Sequence, residues 1–184
     1  MFSFKPKKEE VKESCCSSSH QTCHTQIEKN DEGNNCCTPQ PKGKVLCPTC
    51  HEKAKGVLGK TLHALLTDRA KAKLSCTDGF YYCKTASCKS IYFRDEEVLT
   101  QEDIAVIVGL KEGASPATVC YCFEWTKEKI KTEIIENKES IALADIKAKM
   151  ENPGCSCEVL NPSGGCCLGD VTKAIKEIKK ELDI

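Results

Sequence analysis

Cys120-Tyr121-Cys122, Cys155-Ser156-Cys157 and Asn161-Pro162-Ser163-Gly164-Gly165-Cys166-Cys167 punctuate the C-terminal half of the chain. Two segments with helical apolar spacing lie between the first motif and the second, and a third follows Cys167 directly. Six cysteines gathered around the loops between short helices need a chemical reason. Thiolates are the ordinary ligands of iron-sulfur clusters, and a [2Fe-2S] centre takes four of them. Four of the six would then bind and two would stand by. Cys120 and Cys122 are two apart, so in an extended segment their side chains leave on the same side and can grip one iron. Neighbours such as Cys166 and Cys167 point apart and would not both bind.

The intervening segments read as helices. Thr126 suits an N-cap, with Ile130, Ile134 and Ile135 forming one apolar stripe behind it. A second helix begins near Ser140, turns Leu143, Ile146 and Met150 inward and stops at Asn152-Pro153-Gly154. The third takes Asp170 as N-cap and buries Val171, Ile175, Ile178 and Leu182. Three short helices make a thin core that a cluster would staple. The cluster belongs between the Cys120 loop and the start of the last helix, where unpaired backbone N–H groups can donate to sulfur and help to set its potential.

Upstream, Val45-Leu46-Cys47-Pro48-Thr49-Cys50 holds two cysteines in a turn tight enough to aim both sulfurs at one point. After Thr61, a candidate N-cap, Leu62, Leu65, Leu66 and Ala70 recur at helical spacing. Gly79-Phe80-Tyr81-Tyr82-Cys83 and Cys88-Lys89-Ser90-Ile91-Tyr92-Phe93 read as two strands around a Lys84-Thr85-Ala86-Ser87 turn, which puts Cys83 and Cys88 at a hairpin tip. Cys47, Cys50, Cys83 and Cys88 together match the spacing of structural tetrahedral zinc sites. His51 and His63 read as surface residues or supports behind the ligands. Beyond Thr100 and its acidic turn, Ile104–Val108 reads as a strand completing the sheet, and Lys111–Pro116 as a polar linker.

Composition bounds the rest. Lysine plus arginine equals aspartate plus glutamate at 27 each, so no basic excess invites nucleic acid or an anionic membrane. The start has no apolar signal region and no stretch approaches a membrane span, so a cytoplasmic location is expected. Sixteen cysteines in a reducing compartment point to metal rather than disulfides. Residues 1–44 are nearly devoid of aliphatic side chains and read as a disordered tail. That tail carries Cys15, Cys16, His20, Cys23, His24, Cys36 and Cys37, soft ligands suited to Cu(I) or zinc. The resulting layout is an α+β chain: the tail, a zinc-binding subdomain over 45–112 with a helix and a β-hairpin, and a helical [2Fe-2S] domain over 113–184.

The Cys-Tyr-Cys motif, the segment from Cys157 to Cys167, the Cys47-Pro48-Thr49-Cys50 turn and the aromatic hairpin together resemble the N-terminal domain of CopZ-type copper chaperones. The resemblance spans about Val45 to Ile184, and the last part is similar to bacterioferritin-associated ferredoxin and related cluster domains. It implies one mononuclear zinc on Cys47, Cys50, Cys83 and Cys88 and one [2Fe-2S] cluster on Cys120, Cys122, Cys157 and Cys167, with Cys155 and Cys166 spare. Fused members of that family continue into a ferredoxin-like copper-binding domain with Met-x-Cys-x-x-Cys, and the sequence here ends at Ile184 without that motif. Its copper ligands, Cu+ being the expected cargo, would come from the arm before Val45.

No nucleophile-histidine arrangement and no glycine-rich phosphate loop is visible, so an enzyme is not expected. The leading expectation is a metal-trafficking protein whose cluster supplies electrons, with a copper transporter or a redox protein as partner. A ferredoxin-like electron carrier with purely structural zinc is the alternative. A metal-responsive module that recruits a partner through its zinc hairpin is a third.

Overall fold

The computed structural model describes residues 44–184, so the Cys/His-rich tail, Lys44 apart, lies outside the described residues. Helices and sheets are mixed, as an α+β chain requires. The first sheet has four antiparallel strands in the order β1 (Ala54–Gly56), β2 (Tyr81–Cys83), β3 (Tyr92–Arg94) and β4 (Glu97–Leu99). Tyr82 pairs with Tyr92, and Tyr81 pairs with Phe93 and stacks on it at 5.8 Å between ring centres. The aromatic run expected to form a hairpin does so, and two short flanking strands widen it.

Helices α1 (Gly59–Leu65) and α2 (Asp68–Lys73) cover one face, burying Leu62, Leu65, Leu66 and Ala70 against Phe80, Ile91 and Tyr92. One helix was expected here, with Thr61 as its cap. The break falls at Leu66, which bridges to Ile104, and Thr67 caps α2 by accepting from the Ala70 N–H at 3.3 Å. Thr61 lies inside α1, wholly buried, and its hydroxyl donates to the Glu158 carbonyl. A threonine beside a hydrophobic run signals a cap only where no distant acceptor claims its hydroxyl.

The expected strand over 104–108 does not form. Gln101, in a 3₁₀ turn over Gln101–Asp103, donates to the Val106 carbonyl and accepts from the Val108 N–H, at 2.7 and 3.0 Å. One side chain takes the hydrogen bonds a neighbouring strand would have made, and the run stays irregular.

The second half packs around its own core of Val119, Ile130, Ile134, Ala142, Ile146, Val171, Ala174 and Ile178. It begins with the ribbon β5 (Thr118–Cys120) and β6 (Trp125–Thr126), followed by α3 (Lys127–Asn137) and α4 (Ala142–Glu151). Thr126 caps α3 as expected, accepting from Lys129 N–H at 3.2 Å. Ile135, expected on the inner stripe, is 52% exposed, because three isoleucines in six positions subtend more arc than the core contact covers. A single turn, α5 (Cys157–Leu160), precedes α6 (Leu168–Glu181). The N-cap position of α6 is Cys167, and Asp170 sits in its first turn, where it favours the dipole without capping.

Candidate metal centres

Cys47 and Cys50 lie at the two ends of a turn closed by the His51 N–H, which donates to the Cys47 carbonyl at 2.8 Å. His51 itself takes a positive φ of 58° and is exposed, as the turn's exit requires. Cys83 ends β2 and Cys88 follows the hairpin tip. The sulfurs of Cys47, Cys50, Cys83 and Cys88 all lie within 4.8 Å of one another. The closest approaches are 3.9 Å between Cys47 and Cys88 and 3.6 Å between Cys50 and Cys83. Four sulfurs on Zn–S bonds of ordinary length stand about 3.8 Å apart at the corners of a tetrahedron. The residues therefore fit the metal: a soft, tetrahedral, four-thiolate set, with Phe93 packed against it.

Electrostatics favour it as well. The Thr85 hydroxyl beside Cys50 holds that thiol down at about 6, while burial pushes Cys83 up to about 12. Crowded sulfurs cannot all ionise alone, and a divalent ion is what lets them do so together. Lys111, expected in a linker, instead reaches under the hairpin tip. Its ammonium donates to the carbonyls of Cys83, Thr85 and Ser90 at 3.0, 2.9 and 2.7 Å. It both closes the loop and places a positive charge beside the thiolates.

The second set is arranged differently. Cys167 and Cys120 approach to 3.2 Å, and Cys122 and Cys157 to 3.8 Å, giving two close pairs. Each pair joins the 120–122 loop to the 157–167 loop. Cys120 ends a strand but Cys122 lies in the turn after it, so the expected side-by-side grip of Cys120 and Cys122 gives way to pairing across the loops. Cys120, Cys157 and Cys167 are buried. The neighbouring Cys167 sulfur brings the Cys120 thiol down to about 7, helped by the N–H groups of Phe123 and Cys122. The Cys167 thiol is pushed strongly up by sharing that contact and by burial, while burial raises Cys157. Cys155 is half-buried, and Cys166 is exposed at the rim of a cleft of about 330 Å³ that Lys55, Lys84 and Lys173 also line. A centre with two thiolates on each of two irons asks for two sulfur pairs, so this set fits a binuclear cluster.

Fold and sites define a cysteine-rich α+β metal-binding protein. A family model described as a zinc binding domain matches residues 44–105. The copper chaperone CopZ of Archaeoglobus fulgidus is 31% identical over 147 residues, covering 74% of this chain and 70% of the relative. The chain belongs to the CopZ family. The X-ray structure of the Archaeoglobus fulgidus CopZ N-terminal domain superposes with a TM-score of 0.60 at 29% identity, over 70% of this chain and 96% of that one. Among the described residues no helix is long and apolar enough to cross a membrane.

Sequence reasoning missed three contributors to these sites. Lys111 carries no motif that distinguishes it from a surface lysine. Tyr92 and Tyr121 were visible only as strand and loop aromatics, and their hydroxyl partners, Pro162 and Ile107, are remote in sequence or irregular in structure. The signal available was the placement of Tyr121 between two cysteines.

Proposed function

We propose that the chain is a non-enzymatic metal-trafficking protein with copper as cargo, a structural zinc on Cys47, Cys50, Cys83 and Cys88, and a [2Fe-2S] cluster on Cys120, Cys122, Cys157 and Cys167. The observation that carries the cluster is the pairing of Cys120 with Cys167 and of Cys122 with Cys157. Kinship with a copper chaperone supports the cargo. When bound, the cluster supplies single electrons that can take Cu(II) to Cu(I), the form thiolates prefer, and a redox protein replenishes them. The chain's own part is to bury three of these sulfurs from water and to aim the N–H groups of Cys122, Phe123 and Cys167 at sulfur. Residues 1–44 supply soft ligands for the cargo, and a copper transporter is the natural recipient. The three-part layout, with boundaries near 44 and 112, accompanies this reading.

Serine replacement of each cysteine around the second centre, followed by anaerobic iron and sulfide analysis, tests the ligand set. Loss of the visible absorption in the Cys120, Cys122, Cys157 and Cys167 variants, with retention in Cys155→Ser and Cys166→Ser, is expected. The reverse pattern at Cys155 or Cys166 overturns the assignment. Deleting residues 1–44 should lower Cu(I) uptake while iron and zinc contents stay constant. Equal uptake by both lengths would favour a plain electron carrier.

A further inference from the structure

All four sulfurs of the second centre come from two short stretches, 120–122 and 157–167, whose regular structure is limited to the end of β5 and the single turn α5. Such stretches do not keep a fixed geometry unless something external holds them. Each is tied to the zinc-bearing half by a tyrosine hydroxyl. Tyr92 of β3, wholly buried, donates to the Pro162 carbonyl at 2.7 Å. Thr61 and Lys55 reinforce that tie, donating to the carbonyls of Glu158 and Ser163. Tyr121, between Cys120 and Cys122, accepts from the Gly109 N–H at 2.8 Å and donates to the Ile107 carbonyl at 3.1 Å.

Both ties lead to the zinc hairpin. The residue before Tyr92, Ile91, accepts from the Cys83 N–H at 2.9 Å. The segment reached by Tyr121 runs into Lys111, whose ammonium holds the carbonyls of Cys83, Thr85 and Ser90. Sulfurs at the zinc site and sulfurs at the second site are thus joined through two short hydrogen-bonded routes, each with a phenol at its centre.

We propose that Tyr92 and Tyr121 are positioning residues for the two iron-binding loops, and that through them the zinc hairpin governs how firmly the cluster is held. This rests on reading the second centre as an iron-sulfur site. A phenylalanine fills the same volume as tyrosine and removes only the hydroxyl, so it separates positioning from packing. Losing a buried hydrogen bond of this kind corresponds to roughly a threefold to tenfold change in an equilibrium or rate.

The test uses the full chain reconstituted with zinc, iron and sulfide, as wild type, Tyr92→Phe, Tyr121→Phe and the double variant. Tyr81→Phe, whose ring stacks on Phe93, is the control. Iron extraction by a chelator should run about threefold to tenfold faster in each single variant and faster again in the double. Visible circular dichroism should change, while zinc content and the control's extraction rate should not. In zinc-loaded, iron-free protein, amides 157–166 should exchange faster in Tyr92→Phe and amides 120–123 faster in Tyr121→Phe. Wild-type extraction and exchange in both variants, or equal acceleration in Tyr81→Phe, would overturn the proposal. If the wild type takes up no iron, the cluster reading fails, and the exchange comparison alone decides whether the tyrosines position the loops.

Discussion

At Gly109 the chain passes so close to β5 that a methyl group on its Cα would stand 2.1 Å from the Thr118 carbonyl oxygen and 2.3 Å from its nitrogen. Backbone cannot yield as a side-chain tip can, so Gly109→Ala should destabilise the fold by on the order of 3 kcal/mol, read as a lowered urea midpoint. Unchanged stability would show that the two segments separate easily. Lys111→Met keeps the aliphatic stem and removes the charge that three carbonyls share. It should cost about 2–4 kcal/mol and speed zinc transfer to a competing chelator, since donors around a buried loop are expensive to lose. Neither residue was legible as special in the sequence. A glycine in a polar stretch and a lysine before Glu112-Gly113 look like linker, and only the distant backbone they meet gives them their roles. Cysteines are the opposite case: their chemistry is written in the residue type, which marked four candidates upstream and six downstream, and only the family resemblance chose four of those six.

Among the elements, periodicity served where one face is buried along its whole length. The stripes of α3, α4 and α6 are of that kind, whereas the hairpin was legible from its aromatic runs around a turn, Tyr92 and Phe93 being buried on both faces. Periodicity failed where side chains replaced backbone partners: Gln101 dissolved a strand, and the Thr61 hydroxyl was drawn to α5. Strands β1 and β4, three residues each, are too short to show alternation and exist because β2 and β3 offer them edges. With zinc held there, a sheet of such short strands would lean on the four-sulfur site at its end. Removing zinc should therefore raise hydrogen exchange at Tyr81–Cys83 and Tyr92–Arg94 before α3 and α6 respond. Full protection of those strands after chelation would count against a structural metal.

In the molecule as a whole, two cysteine sites of different form share one unit. One draws four sulfurs to a single point, and the other holds two pairs across two loops. The sequence motifs announced both sets, but not how Cys120 and Cys122 divide between the pairs, because that division depends on a turn after β5. It also did not announce that the 157–167 loop leans on the zinc side through Tyr92, Thr61 and Lys55. The most direct measurement is metal and sulfide analysis of the full chain purified without oxygen. One zinc, two irons and two sulfides per chain, with a visible spectrum that reduction by one electron bleaches, is the expected result. A second zinc in place of iron and sulfide, bound at Cys120, Cys122, Cys157 and Cys167, would contradict the reading of this protein as a redox-active metal carrier.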